Sequence, residues 1–481
     1  MKFKKFLLII FITLMIFGGV YILTQGQRFP NSYVIHEKTH LLEENEKKNY
    51  SGAISVNLDN DQDSEIFVSA LESKNVFFKW SNGKFEKLFI PNLEEENGKT
   101  FSVSACDITS DGRDEILLIN RDSESSRVVT YKNGEWVDLL LDQEIRKSLS
   151  NAYASACIDR KGDHRYGFVV TVENGEPLYL EISNSKVLNI AQSIGLNKVA
   201  SGRSVIGVPG PSGKTNIFFG NSHGSNFYYK NQNDGTFKES AESLGISDPD
   251  FEARGVSLID LNHDEMMDLI YGNHFGPLRM LEQSADGHFK DVTPENLVTS
   301  YAVNSAVVAD FNLDGFEDIY LNNIRHANNL IARYENKWFQ ISLENFDEKD
   351  FYGISSLTGD FNNDGKVDLL NTHGDGDKFP LTLYTFDPVG EGVSFKIQLR
   401  NGGLPRGAQL KLRTTMRDRM KAIYSGSGRF ANYDDVLIFG LVKNEKVVSA
   451  EVILTTGQKV IKNQQISLNK INIITVDGTP Y

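Results

Sequence analysis

Two stretches of this sequence gather hard oxygen ligands at one fixed spacing. Asp310, Asn312, Asp314 and Asp318 form the first and Asp360, Asn362, Asp364 and Asp368 the second, with Gly315 and Gly365 at the sixth position of each. Calcium takes about six to eight oxygens from carboxylates, amide oxygens and backbone carbonyls. Side chains at positions 1, 3 and 5 of such a loop converge, glycine permits the sharp turn, and the acid at position 9 closes the shell from the start of the next strand. Without a cation, carboxylates aimed at one point repel each other. Weaker copies are Asp260, Asn262, Asp264 and Asp268, with Glu265 in glycine's place; Asp107, Asp111 and Glu115; and Asn57, Asp59, Asp61 and Glu65. The stretches beginning near Ile158 and Val208 keep only the frame. The expectation is about three to five bound calcium ions. An EF-hand is excluded, because its twelfth position needs a bidentate Glu and here holds Leu321 or Asn371.

Other chemistry is thinner. Asn221, His223, Asn273, His274, Asn323, His326 and His373 follow the strand leaving each acidic core, on the face opposite the loops. They form a candidate ligand or transition-metal site near the axis, although Asn and His are also ordinary turn residues. The stretch from Val208 to Thr215 ends like a phosphate-binding loop, but Val208 replaces the first glycine and two prolines remove amides.

The elements that must position these loops repeat. The acidic cores start at 57, 107, 158, 208, 260, 310 and 360, a beat of 50 to 52 residues, with short β-branched or aromatic runs on either side. Many units then carry an Asn-Gly or Asp-Gly pair before an aromatic residue, as at Asn82-Gly83, Asn133-Gly134, Asp234-Gly235 and Asp286-Gly287, where hairpin turns with positive φ at both positions are expected. Four short antiparallel strands per unit make a propeller blade. The fold class is therefore all-β: a seven-bladed β-propeller over residues 28–390, a small C-terminal β-sandwich or barrel over 391–481, and an N-terminal hydrophobic helix. The last unit stops near Asp387, one strand short, so residues around 32–37 are expected to supply its outer strand.

The 40% hydrophobic and 24% charged composition excludes a disordered chain, and a net charge of −14 argues against nucleic-acid partners. The charge is divided: residues 396–481 carry +8 and residues 1–395 carry −22. The basic part could dock on the acidic ring or attract an anionic glycan or lipid headgroup. Cys106 and Cys157 lie in matching Ser-Ala-Cys triplets, expected to be small buried side chains in two repeats rather than a disulfide or redox pair. Residues 1–27 place three lysines before an 18-residue apolar stretch, an uncleaved membrane anchor or a cleaved signal that sends the remainder out of the cytoplasm.

The acidic loops resemble the FG-GAP/VCBS repeats of integrin α-type propellers. Residues 391–470 resemble the ASPIC/UnbV domain of the cartilage acidic protein family through Arg406-Gly407-Ala408, Ser425-Gly426-Ser427-Gly428, Phe439-Gly440-Leu441 and Thr456-Gly457. The resemblance implies a calcium-stabilised propeller for surface recognition or adhesion, usually without catalysis. The expected function is an extracytoplasmic recognition module for a protein or glycan, membrane-anchored, or secreted or periplasmic if the segment is cut. The alternative is a hydrolase or other enzyme built on the propeller face.

Overall fold

The computed structural model describes residues 33–477, apart from 43–48, 60–62, 96–97, 123, 300, 335–336, 342–347, 349–351, 375–380, 427–435 and 463–465. The expected N-terminal helix lies outside the described residues. Among those described, no helix is long and apolar enough to cross a membrane.

Each fifty-residue unit folds as four antiparallel strands. The first strands are Tyr50–Val56, Thr100–Cys106, Ala152–Ile158, Ala200–Pro209, Glu252–Ile259, Tyr301–Ala309 and Tyr352–Gly359. Each packs beside the next and the seventh packs against the first, which closes the ring. The beat of the sequence reappears as hydrogen bonds between neighbouring inner strands. Ser51 Oγ donates to Thr100 O at 3.0 Å, Ser257 Oγ to Ala306 O at 2.8 Å and Asn304 Nδ2 to Gly353 O at 2.7 Å, while Thr372 Oγ1 closes the circle on Ser51 O at 2.7 Å. Small polar residues suit this crowded layer because each satisfies a carbonyl that water cannot reach.

The missing outer strand comes from the other end of the chain, as expected. Val34–His40 pairs antiparallel with Thr382–Asp387, the third strand of the seventh blade. Between blades, rings such as Tyr179, Tyr271, Tyr320 and Tyr384 are fully buried, each worth about 1.5–3 kcal/mol of apolar transfer. The hairpins at Asn82-Gly83 and Asn133-Gly134 have positive φ at both residues. At Asp234-Gly235 and Asp286-Gly287 only the glycine of the pair does, because these turns are longer than two residues.

One expectation is corrected. Cys106 and Cys157 form a disulfide, with Cα atoms 5.3 Å apart. The matched triplets occupy the same level of adjacent inner strands, where Ser104 and Ser155 also meet, Oγ to Oγ at 2.6 Å. The repeat that makes the triplets alike is what brings them side by side.

From Glu391 the chain builds a separate β-sandwich. Glu391–Leu399 lies between Val436–Leu441 and, in parallel, Ile471–Val476. The facing sheet runs in the order Asp418–Ala422, Gln409–Thr414, Val447–Ile453 and Lys459–Lys462. Phe395, Ile397, Leu410, Leu412, Phe439 and Val452 fill the space between the two sheets.

Candidate functional site: the acidic loop face

The acidic loops join the first and second strands of their blades and share one internal geometry. In loop 310–318 the first-position carboxylate accepts the amides of Asp314 at 2.9 Å and Gly315 at 2.8 Å, while Asn312 Oδ1 also accepts Asp314 N at 3.1 Å. Loop 360–368 repeats this with Asp364 at 2.9 Å and Gly365 at 2.8 Å. Asp107 likewise accepts Asp111 and Gly112, both at 3.0 Å. The closing acid points back to the loop's start in every copy: Leu58 N to Glu65, Thr109 N to Glu115, Leu261 N to Asp268, Phe311 N to Asp318 and Phe361 N to Asp368. Asp61 lies outside the described residues.

These carboxylates are buried without enough positive charge. Burial pushes Asp107, Glu115, Asp260 and Asp360 up to about 7 and Asp268 to about 8, and holds Asp310, Asp318 and Asp368 well above the usual range. Neighbouring acids add to the effect, Asp314 on Asp310 and Asp360 on Asp368. Asp368 Oδ1 is buried with no hydrogen-bond partner. Among the described residues no three His, Cys, Asp or Glu side chains already converge as a metal cage. The donor chemistry nevertheless fits a hard dication: all-oxygen ligands, desolvated and short of a counter-charge.

Two of the weaker loops also make cation contacts, on Asp59 and Glu65 in one and on Glu265 in the other. In loop 57–65, Lys79 Nζ sits 2.5 Å from Asp59 and 3.2 Å from Glu65. In loop 260–268, Glu265 adopts φ 71°, the conformation left to it by the absent glycine, and its carboxylate pairs with Lys411 of the C-terminal domain. The third blade, read from sequence as frame alone, retains one structural acid: buried Asp159 accepts Gly162 N at 2.7 Å and His164 N at 3.1 Å. The stretch from Val208 to Thr215 is a strand-to-strand hairpin with Gly210 N on Lys214 O at 2.9 Å, not a strand-to-helix phosphate loop.

The basic C-terminal domain docks on this loop face. Arg406 makes a two-pronged contact with Asp114 at 2.7 and 2.6 Å, Lys421 pairs with Glu317 at 2.7 Å, and Thr455 Oγ1 donates to Asp159 at 2.7 Å. Gly440 N donates to Asp310 Oδ2 at 3.1 Å, an approach so close that a Cβ on Gly440 would lie 2.2 Å from that oxygen. Met420, Ala422 and Tyr424 join the apolar core of blades four and five. Ser425 receives Cys157 N at 2.9 Å and Gly426 abuts Val205 O, so this segment reaches the inner strands of blades three and four.

The FG-GAP-like repeat matches residues 57–118, 212–271 and 260–321. Cartilage acidic protein 1 of Xenopus tropicalis is 30% identical over 482 residues, covering 90% of this chain and 74% of that protein; the Homo sapiens protein is 30% identical over 464 residues, covering 86% and 70%. The chain belongs to the cartilage acidic protein family. Among solved structures, YCF48 from Cyanidioschyzon merolae aligns with a TM-score of 0.46 at 10% identity, over 72% of this chain and 98% of that one. In this family member, Arg406, Ser425 and Gly440, the residues that carried the C-terminal resemblance, all lie at the docked face.

The opposite face uses its candidate residues differently. Asn221, Asn273 and Asn323 each donate Nδ2 to the carbonyl four residues on, at Ser225, Pro277 and Ala327, at 2.7 to 2.8 Å. They brace the turn after the second strand. His223 is exposed beside Ser222, His274 stacks near Phe275, and His326 Nδ1 meets Ile324 O at 2.8 Å. His373 is fully buried, with Nε2 3.0 Å from Glu348. Glu348 also accepts Tyr384 OH at 2.7 Å and is held down at about 2, against the cost of its burial, chiefly by His373. The four histidines thus sit in four blades and form no shared cluster. Sequence reasoning missed Glu348, which lies outside the repeat motif and gave no signal of its own.

Proposed function

We propose that this cartilage acidic protein family member is an extracytoplasmic, calcium-binding recognition module without catalytic activity, presenting its propeller to a protein or glycan. The observation that carries this reading is the set of buried, under-neutralised carboxylates in loops 310–318 and 360–368, with loop 260–268 as a third member. Asp310, Asn312, Asp314 and Asp318, and their counterparts in the other two loops, would hold the ions. Bound calcium would supply the missing positive charge and fix the hairpins that carry the C-terminal domain. The disulfide suits an oxidising compartment, as does the apolar segment at residues 6–23.

A ligand that binds only the folded state raises its melting temperature. Differential scanning calorimetry in millimolar calcium and in chelator is therefore expected to show a calcium-dependent rise of several degrees, lost on Asp310→Asn with Asp360→Asn. An identical melting curve in both conditions removes the metal.

A further inference from the structure

Every inner strand begins with a register break, on the side away from the C-terminal domain: between Tyr50 and Ala53, Thr100 and Ser102, Ala152 and Ser155, Gly202 and Ser204, Ala253 and Gly255, Val303 and Ser305, and Gly353 and Ser355. A bulge leaves its extra residue out of the ladder and re-aims its side chain. Seven bulges at one level therefore set a ring of residues at the axial mouth away from the C-terminal domain, and in blades two to five these include Phe101, Tyr153, Arg203 and Arg254.

Arg121, from the end of the second blade's second strand, joins them. Its guanidinium carbon lies 3.2 Å from the Phe101 ring centroid and 4.5 Å from that of Tyr153, while Arg203 lies 3.8 Å from the Tyr153 centroid. One aromatic ring thus separates two cations. Burial, together with the charge of Arg203, lowers Arg121 to about 10. Among the described residues two carboxylates answer three guanidiniums: Glu173 pairs with Arg203 at 2.7 Å, and Glu252 pairs with Arg254 at 2.7 Å and stands 3.7 Å from Arg203. Arg203 Nε and Nη1 are buried and have no hydrogen-bond partner. A planar fork with unmet donors, in a cluster one negative charge short and beside an aromatic shelf, matches a carboxylate with an apolar neighbour.

We infer that this axial mouth is a carboxylate-binding site, with Arg203 as its main ligand and Arg121 and Arg254 at its flanks, and that it takes an acidic peptide segment. The −22 charge of residues 1–395 disfavours a polyanion, whereas a peptide can bring one carboxylate alone. The inference rests on the reading of the chain as a recognition module, but not on its metal.

The test is selection of ten-residue linear peptides from a display library on the intact chain in millimolar calcium. Affinities are then measured by fluorescence anisotropy for the wild type, Arg203→Gln and Arg203→Lys. Selected peptides are expected to share an Asp or Glu whose amide variant binds at least tenfold more weakly. Both Arg203 variants are expected to lose at least tenfold, Arg203→Lys because an ammonium cannot reproduce the fork, with melting curves showing both folded. Peptides without a required acid, or affinity within twofold in the variants, overturn the site. Arg203-dependent binding of an oligogalacturonate, with no peptide selected, overturns the peptide assignment. Calorimetry with chelator on the same samples reports separately on calcium.

Discussion

Replacing Lys79 by methionine isolates the charge logic of the loop face, because this one side chain pairs with two acids of its loop, Asp59 and Glu65. Lys79 lies 3.2 Å from Glu65, which is fully buried, and 2.5 Å from the half-exposed Asp59. Removing one partner of a buried pair typically costs about 3–5 kcal/mol, since the remaining charge is uncompensated. The cost must depend on pH. Burial already raises Glu65 to about 7, so the folded state binds more protons than the unfolded state, and this group's contribution to stability falls as pH rises from about 4.5 to 7. Without Lys79 the folded value climbs further, so the penalty grows as pH rises past 7 until it passes the variant's own pKa, and it fades toward pH 5. Urea unfolding of Lys79→Met at about pH 8.5 is expected to show a loss of about 2 kcal/mol, because protonation of Glu65 limits the cost to about 1.4 kcal/mol per pH unit above 7. At about pH 5.5 the loss is expected to fall below about 1 kcal/mol, and Glu65→Gln in the same background recovers most of it at high pH. Equal losses at both pH values would mean that the aliphatic stem, not the ammonium, carries the effect, and would refute the reasoning.

Removing the disulfide by Cys106→Ala with Cys157→Ala, across a separation of 51 residues, is expected to cost about 4 kcal/mol through the entropy of the unfolded chain; calorimetry with and without reductant checks this, and an unchanged melting temperature in reductant contradicts it. Arg406→Ala removes the two-pronged contact with Asp114 and is expected to speed hydrogen exchange across Gln409–Thr414 while leaving the propeller's inner strands protected. In chelator, stability is expected to fall as pH rises from about 5 to 8, because Asp107, Glu115, Asp260 and Asp360, near 7, and Asp268, near 8, all lose protons that the fold prefers to keep. Calcium, which competes with those protons, is expected to flatten or reverse that slope; parallel slopes in chemical unfolding would argue against metal at these acids.

The ring was legible because its signal is repeated. A spacing of 50 to 52 residues, each unit with an acid-rich turn between apolar runs, leaves few ways to bury seven equivalent sheets. Even the exchange of the first strand into the last blade followed from a shortfall of one strand. What escaped was pairwise. Cys106 and Cys157 looked like repeated small residues, and only the lateral register of two inner strands joins them. The basic charge of the C-terminal domain was visible, with the acidic ring as one of its possible docks, but the pairs were not, since Arg406, Lys411 and Lys421 find Asp114, Glu265 and Glu317 across gaps of a hundred residues or more. The asparagines after the second strands were noticed for their type. Their work, bracing turns through a carbonyl four residues away, is set by local backbone geometry that a list of polar residues does not contain. Arg203 carried no motif at all, because its position depends on a bulge.

The most direct measurement is calcium stoichiometry by isothermal titration calorimetry on the intact chain, with Asp310→Asn, Asp360→Asn and Asp260→Asn compared one at a time. The account predicts at least three sites, one lost with each substitution, as each loop supplies its own oxygens. Absence of calcium binding at millimolar concentration, or a stoichiometry indifferent to all three substitutions, would contradict it.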